Sequence, residues 1–232
     1  MGSQLSAIRQ VYDRLWEEAV QAFEREELEF DPHLPDKGRD LRRGLTLAFR
    51  PSRTVQASID AFLDKLKEVG PSQYFYRPEE FHVTVLAIIP GSARWQDQIH
   101  HLPEYQACAK TVLSRQRSFS VEFRGVTASR GAVMIQGFPG DDTLSNIREE
   151  LREELRRRKL GQLLDSRYKI ISAHMTAMRF CDARADWQSL LALLEENRTT
   201  RFGETRVTSL ELILGDWYAS AKTVRTIEKY SL

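Results

Sequence analysis

A chain of 232 residues is long enough for one sizeable core, and its 41% apolar and 29% charged content are those of an ordinary soluble globular protein. The formal net charge of +1 argues against a protein that coats long nucleic acid, and leaves a small anionic ligand or a nucleic-acid end compatible. Two isolated cysteines, Cys108 and Cys181, exclude a disulfide scaffold and a cysteine-based zinc motif.

The N-terminus, MGSQLSAIRQVYDRLWEEAV, is interrupted by charges throughout and lacks the apolar run of a signal peptide. It opens with M-G-x-x-x-S, the bare myristoylation pattern, although Gly2-Ser3 reads equally as a cloning scar. Over residues 3 to 29, Leu5, Ile8, Val11, Tyr12, Leu15, Trp16, Ala19 and Phe23 recur at three- and four-residue spacing, which predicts a helix. FDPHLPDKG then breaks the pattern, so a linker follows, and His33 within it reads as an exposed loop residue. No apolar stretch approaches the ~20 residues that span a bilayer. A cytoplasmic protein with no membrane partner is therefore expected.

GLTLAFRP alternates Leu45, Leu47 and Phe49 against Thr46 and Ala48, the pattern of a strand. Ser52 is placed to cap a following helix whose apolar face is Val55, Ile59, Phe62, Leu63 and Leu66, and Gly70-Pro71 stops it. FHVTVLAII at 81 to 89 reads as a buried strand ended by Pro90-Gly91, and a helix is expected from about 103 to 114. SFSVEFRGV and GAVMIQGF predict a hairpin turning around 128 to 131. Next comes a helix from about 142 to 160, on Leu144, Ile147, Leu151 and Leu155. Its run REELREELRRRK reads as a solvated face, with Glu153 able to pair with Arg157. YKIISAHMTAMRF is a second strand like 81 to 89. A helix at about 185 to 196 and two closing strands, VTSLELIL and TVRTIEKY, complete the chain.

Each half thus reads strand, helix, His-x-Thr strand, helix. The expected organisation is an N-terminal helical extension and linker at 1 to 42, laid against a single two-lobed domain at 43 to 232.

Side chains on a strand alternate between faces, so His82 and Thr84 share one face, and His174 and Thr176 share another. If the lobes are related by pseudo-symmetry, the two faces meet across one cleft. Two facing imidazoles supply a proton acceptor and a proton donor near neutral pH. Hydrolysis of a phosphodiester needs both, and threonine hydroxyls can hold the non-bridging phosphate oxygens without titrating. The scheme requires no metal and no cofactor. Either triplet alone reads better as a core histidine beside a β-favouring threonine. The matched pair, in equivalent places of the two halves, points to function.

The motifs His82-Val83-Thr84-Val85 and His174-Met175-Thr176-Ala177 resemble the paired signature of the 2H phosphoesterase superfamily, a histidine, an apolar residue, serine or threonine, and another apolar residue. Its members include bacterial RNA 2',3'-cyclic phosphodiesterases and 2'-5' RNA ligases, and plant and yeast cyclic nucleotide phosphodiesterases. The resemblance covers the chain from about residue 43 to its end. It implies a bilobal α+β fold, with two antiparallel sheets lining a central cleft and helices outside. It also implies metal-independent chemistry on 2'-linked or cyclic phosphates, with His82 and His174 as acid and base and Thr84 and Thr176 as the phosphate clamp. The expected substrate is a nucleotide or an RNA end rather than a long duplex. End ligation, or a non-catalytic nucleotide-binding module, is the alternative.

Tyr76, Tyr168 and Trp217 are candidates for stacking on a base or forming the rim. Lys169, Arg130 and Arg179 are candidate phosphate partners, although strict alternation puts Arg179 on the face opposite His174. His100-His101 reads as an exposed turn rather than a metal pair.

Overall fold

The computed structural model describes residues 2–232; Met1, where the bare acylation pattern begins, and the side chain of Ser3 lie outside the described residues. Helix α1 (Gly2–Glu24) follows the expected spacing but stops before residue 29. Glu26 turns into the left-handed region at φ 57°, and the Glu27 N–H closes back on the Ala22 carbonyl at 2.8 Å. The linker after it carries a short 3-10 turn, Leu34–Arg39.

Strand β1 (Arg43–Phe49) leads into α2 (Arg53–Val69), where the Ser52 hydroxyl accepts from the Val55 N–H at 3.4 Å, so the expected cap is formed. A two-residue strand, β2 (Tyr74–Phe75), and a 3-10 turn, Pro78–Glu80, precede β3 (Val83–Ser92). Two helices follow, α3 (Gln96–Ile99) and α4 (Leu102–Leu113), with His100 and His101 in the turn between them. The predicted hairpin is β4 (Phe119–Ser129) and β5 (Ala132–Pro139). Helix α5 (Thr143–Arg157) precedes β6 (Met175–Arg179), and α6 (Trp187–Glu196) follows it. Strand β7 (Arg201–Val207) was not legible in the sequence; β8 (Ser209–Asp216) and β9 (Arg225–Ser231) are the closing pair.

All pairings are antiparallel, in a sheet of order β3-β1-β8-β9 and another of order β2-β6-β5-β4-β7. The repeat of strand, helix, His-x-Thr strand, helix is present as β1–α2–β3–α4 and β5–α5–β6–α6. The sheets are not simply the two halves of the chain, however. The C-terminal β8–β9 hairpin pairs onto β1 and completes the first sheet. The crossover helices are also exchanged: α2 packs against β7 and β6 of the second sheet, and α5 packs against β3 and α4. One apolar core therefore runs through both sheets, from Leu45, Leu47 and Val83 to Ile135, Met175 and Met178.

This topology leaves β3 at the edge of its sheet, and β6, paired with β5 on one side, next to only the two residues of β2 on the other. The two motif strands thus face each other across the middle of the molecule. Helix α1 packs on β4, β5 and α6. No helix among the described residues is long and apolar enough to cross a membrane.

Candidate active site

His82 and His174 each occupy the residue immediately before a strand begins, β3 in one case and β6 in the other. Both are half-buried, and both line one cavity of about 190 Å³. Its floor is the first sheet, through Gly44, Thr46, Thr84 and Ile213. Its far wall is the segment 165–170, and Trp217 closes one end.

Each imidazole is held through Nδ1, which leaves Nε2 for the cavity. His82 Nδ1–H donates to the Glu80 carbonyl at 2.8 Å. A carbonyl only accepts, so this bond fixes the tautomer and remains satisfied when the ring is protonated. His174 Nδ1 is 2.8 Å from the Ser172 hydroxyl, which can donate or accept. Charge separates the two further. Burial lowers the pKa of His82, with Arg50 and Arg179 acting in the same direction, while the Glu80 carbonyl opposes them. His174 has no such opposing partner: burial first, then Arg148, His82 and Arg179, push it down to about 4.

Arg148 is the largest feature missed by sequence reasoning. It is only 2% exposed, and its guanidinium joins the two motif segments. It donates to the Thr84 carbonyl at 2.9 Å and the Val85 carbonyl at 2.8 Å on β3. From the same group it reaches the Ile171 and Ser172 carbonyls, both at 2.8 Å, just before His174. The outer edge of β3 and the irregular segment ahead of β6 leave backbone carbonyls without a ladder partner, and here one planar five-donor group serves both. A register shift around Val85 lets adjacent carbonyls of β3 face the same guanidinium. Burial lowers Arg148 to about 10, so it stays charged at neutral pH.

The run REELREELRRRK is therefore not a solvated face throughout. Arg148 and Arg152 are buried, because both fall on the stripe of Leu144, Leu151 and Leu155 rather than opposite it. That placement was the available signal. Arg152 forks onto both Asp165 carboxylate oxygens, at 2.8 and 2.9 Å, and so anchors the segment that walls the cavity. Arg157 pairs with Glu154 at 2.8 Å, not with Glu153.

Of the aromatic candidates, Tyr168, at 63% exposure, and Trp217 line the cavity. Arg167 and Arg42 stack their guanidinium carbons 4.3 and 4.7 Å from the Trp217 ring centre. Tyr76 does not line the cavity. It is 3% exposed, and its hydroxyl accepts from Arg179 Nε at 2.9 Å. Thr84 lines the cavity; Thr176, half-buried on β6, lies outside the lining.

The expected opposition of Arg179 to His174 is overturned by a bulge. Val133 pairs with Met178 but Met134 with Thr176, so β6 carries one extra residue and its alternation inverts. Arg179 then comes within 5.8 Å of the Trp217 ring and acts on both histidines. Lys169 and Arg130 are engaged elsewhere, Lys169 with Glu149 at 2.9 Å and Arg130 with the Glu27 carbonyl at 2.9 Å. His101 Nδ1 is 3.8 Å from Glu104, and no group of three potential metal ligands occurs among the described residues.

No protein-family model and no curated protein matches the chain. Solved structures do. TT0787 of Thermus thermophilus is similar at a TM-score of 0.58 and 19% identity, over 82% of this chain and 97% of its own. Escherichia coli LigT, solved with ATP, gives 0.52 at 15% identity over 82% and 98%. A protein described as a phosphoesterase gives 0.52 at 14% identity over the same shares. At such identities the likeness is one of fold. The two antiparallel sheets with helices outside are the architecture in common, and the chain has the 2H phosphoesterase fold.

Proposed function

We propose that the chain is a two-histidine phosphodiesterase that hydrolyses a cyclic or 2'-linked nucleotide phosphate, such as a nucleoside or RNA-end 2',3'-cyclic phosphate. The observation that carries this reading is the placement of His82 and His174 on one cavity with both Nδ1 atoms engaged. Their different surroundings divide the labour. His174, pushed down to about 4 with no opposing partner, is neutral across the working range and accepts a proton from the attacking water through Nε2. The water oxygen bonds to phosphorus as the ester bond to the leaving oxygen breaks. His82, whose imidazolium is supported by the Glu80 carbonyl, donates its Nε2 proton to that leaving oxygen. Thr84, on the cavity lining, hydrogen-bonds a non-bridging oxygen, and Arg179 adds positive charge. Trp217 and Tyr168, which line the cavity, stack on the base. LigT, of the same fold, has been solved with ATP, 3'-AMP and NADP+, which supports a nucleotide as ligand.

The test is turnover, in EDTA, of a panel holding 2',3'-cyclic nucleotides, an RNA with a cyclic-phosphate end, 2'-5' oligoadenylate and a cyclic dinucleotide. Hydrolysis of one class is expected. Turnover that appears only with added metal would overturn the mechanism, and joined RNA ends would replace hydrolysis by ligation.

The pH dependence follows from the two surroundings. Activity requires His174 unprotonated, so kcat/KM rises with pH through about 4. It requires His82 protonated, so kcat/KM falls again at a pH below the ordinary histidine value of about 6.5. The expected profile is a bell centred on the acid side of neutrality. In kcat it should move to higher pH, because the phosphate charge favours both imidazolium forms. A profile still rising above pH ~8 would sink this assignment of roles.

A further inference from the structure

The carbonyl that takes the His82 Nδ1–H at 2.8 Å belongs to Glu80, the last residue of the turn Pro78–Glu80. It can orient the ring only if that three-residue turn is itself held still. The group that holds it is the side chain of the same residue. Glu80 is 5% exposed, and both of its carboxylate oxygens are engaged. Oε2 accepts from the Arg77 N–H at 3.1 Å and from the Tyr74 hydroxyl at 3.3 Å. Oε1 accepts from the Ala221 N–H at 3.1 Å. The Glu80 N–H returns to the Arg77 carbonyl at 2.8 Å, so the turn is closed from both ends. Ala221 lies in the loop after β8, which also brings Trp217 and Ala219 to the cavity. At the start of that loop, Asp216 Oδ1 accepts from the Tyr218 and Ser220 N–H groups at 3.1 and 2.9 Å. The linker after α1 joins the same network. Lys37 Nζ donates to the Tyr74 hydroxyl at 2.8 Å and to Ser220 Oγ at 3.2 Å, which leaves the phenol proton for the carboxylate.

Taking a carboxylate out of water is costly, and a three-residue turn does not by itself require one. Two N–H groups approaching different oxygens do require an acceptor on both, which a carboxylate supplies and an amide does not. The charge of the carboxylate also favours the His82 imidazolium, as the carbonyl does.

We propose that Glu80 is a positioning residue for His82: its carboxylate clamps the turn before β3 to the loop after β8, and so fixes the carbonyl that holds Nδ1. The neutral ring then carries its proton on Nδ1, and Nε2 is left for the cavity in either charge state. One side chain thereby ties the ring to the wall that carries Trp217 and, through Tyr74, to Lys37 of the N-terminal extension. The proposal rests on the two-histidine reading for its catalytic consequence, and on the hydrogen bonds alone for its structural one.

The experiment is long-range 1H–15N correlation of the histidine rings in the full chain, at a pH where they are neutral, for the parent, Glu80→Gln, Glu80→Asp and Asp186→Ala. The parent is expected to show His82 protonated at Nδ1 alone. In Glu80→Gln one of the two N–H groups meets an amide NH2, so the clamp opens. His82 should then become a mixture of tautomers while His174 is unchanged. Glu80→Asp keeps the charge but is one methylene too short to reach both sides. It should give the same mixture, and it decides alone if Glu80→Gln does not fold. Asp186→Ala removes the cap of α6, away from the turn, and should lower stability while leaving His82 as in the parent. On a substrate that the parent turns over, Glu80→Gln should lower kcat by about tenfold with KM within about threefold, and Asp186→Ala should change neither. An unchanged His82 ring in either Glu80 variant would overturn the proposal, as would an equal change in Asp186→Ala. If the parent turns over no member of the panel, the ring spectra still decide the role of Glu80.

Discussion

Replacing either His82 or His174 with alanine is expected to lower kcat by about 10³-fold, with KM staying within about threefold of the parent. The size follows from the role. A positioned proton donor or acceptor contributes roughly 10²–10⁴ to rate, and it does so in the transition state, where the proton is in flight. The ground-state phosphate is held by other groups, so binding should survive. Neither ring contributes a hydrogen bond to the core beyond its Nδ1 anchor, so both variants should fold. The two losses should not multiply, because a concerted step lacking its base gains little from its acid. Measurement of both single variants and the double on the responsive member of the panel checks this. Retained turnover in either single variant would remove that histidine from the chemistry. Tight nucleotide binding with no turnover in the parent would instead favour a binding module.

Arg148→Met is expected to destabilise the fold by about 3–5 kcal/mol, since several buried carbonyls left without a donor cost roughly 1–3 kcal/mol each, offset in part by the guanidinium desolvation that is no longer incurred. The four carbonyls it serves, Thr84, Val85, Ile171 and Ser172, would lose a charge-assisted partner together. Methionine fills most of the space and supplies no donor. Urea unfolding should show a lower midpoint with an unchanged slope, the sign of lost stability rather than altered compactness. Arg148→Lys should recover only part, since an ammonium is a point charge and cannot span four acceptors in a plane. A loss under about 1 kcal/mol would mean that those carbonyls are satisfied without the guanidinium. A second effect has a definite sign. Arg148 helps to hold His174 down, so its removal should raise that pKa, and the acid limb of the kcat/KM profile should move to higher pH.

The elements resting on local pattern were legible in the sequence. The apolar spacing of α2 and α5, the Ser52 cap and the β4–β5 hairpin all involve residues within a turn or two of one another. The two His-x-Thr triplets were legible for the same reason, as was the repeated order of elements around them. Their meeting in one cavity was an expectation from symmetry that no local pattern contains.

Relations between distant segments are settled only in three dimensions. Which strands share a sheet depends on edges finding partners, and the β8–β9 hairpin closes onto β1 rather than onto its neighbour β7. Alternation is a reliable count within one strand, but a bulge is a property of a pair. The extra residue in β6 exists only against β5, and it turns Arg179 toward the histidines. Arg148 looked like one charge among many in a basic run, because its acceptors lie 63 and 24 positions away along the chain. The net charge of +1 likewise concealed a site where Arg148 and Arg179 lower the basicity of His174. The order of residues marked His82 and His174 as candidates for proton transfer at a phosphate. Under the proposed function, desolvation and the placement of fixed charges, which depend on packing from every side, divide acid from base between them.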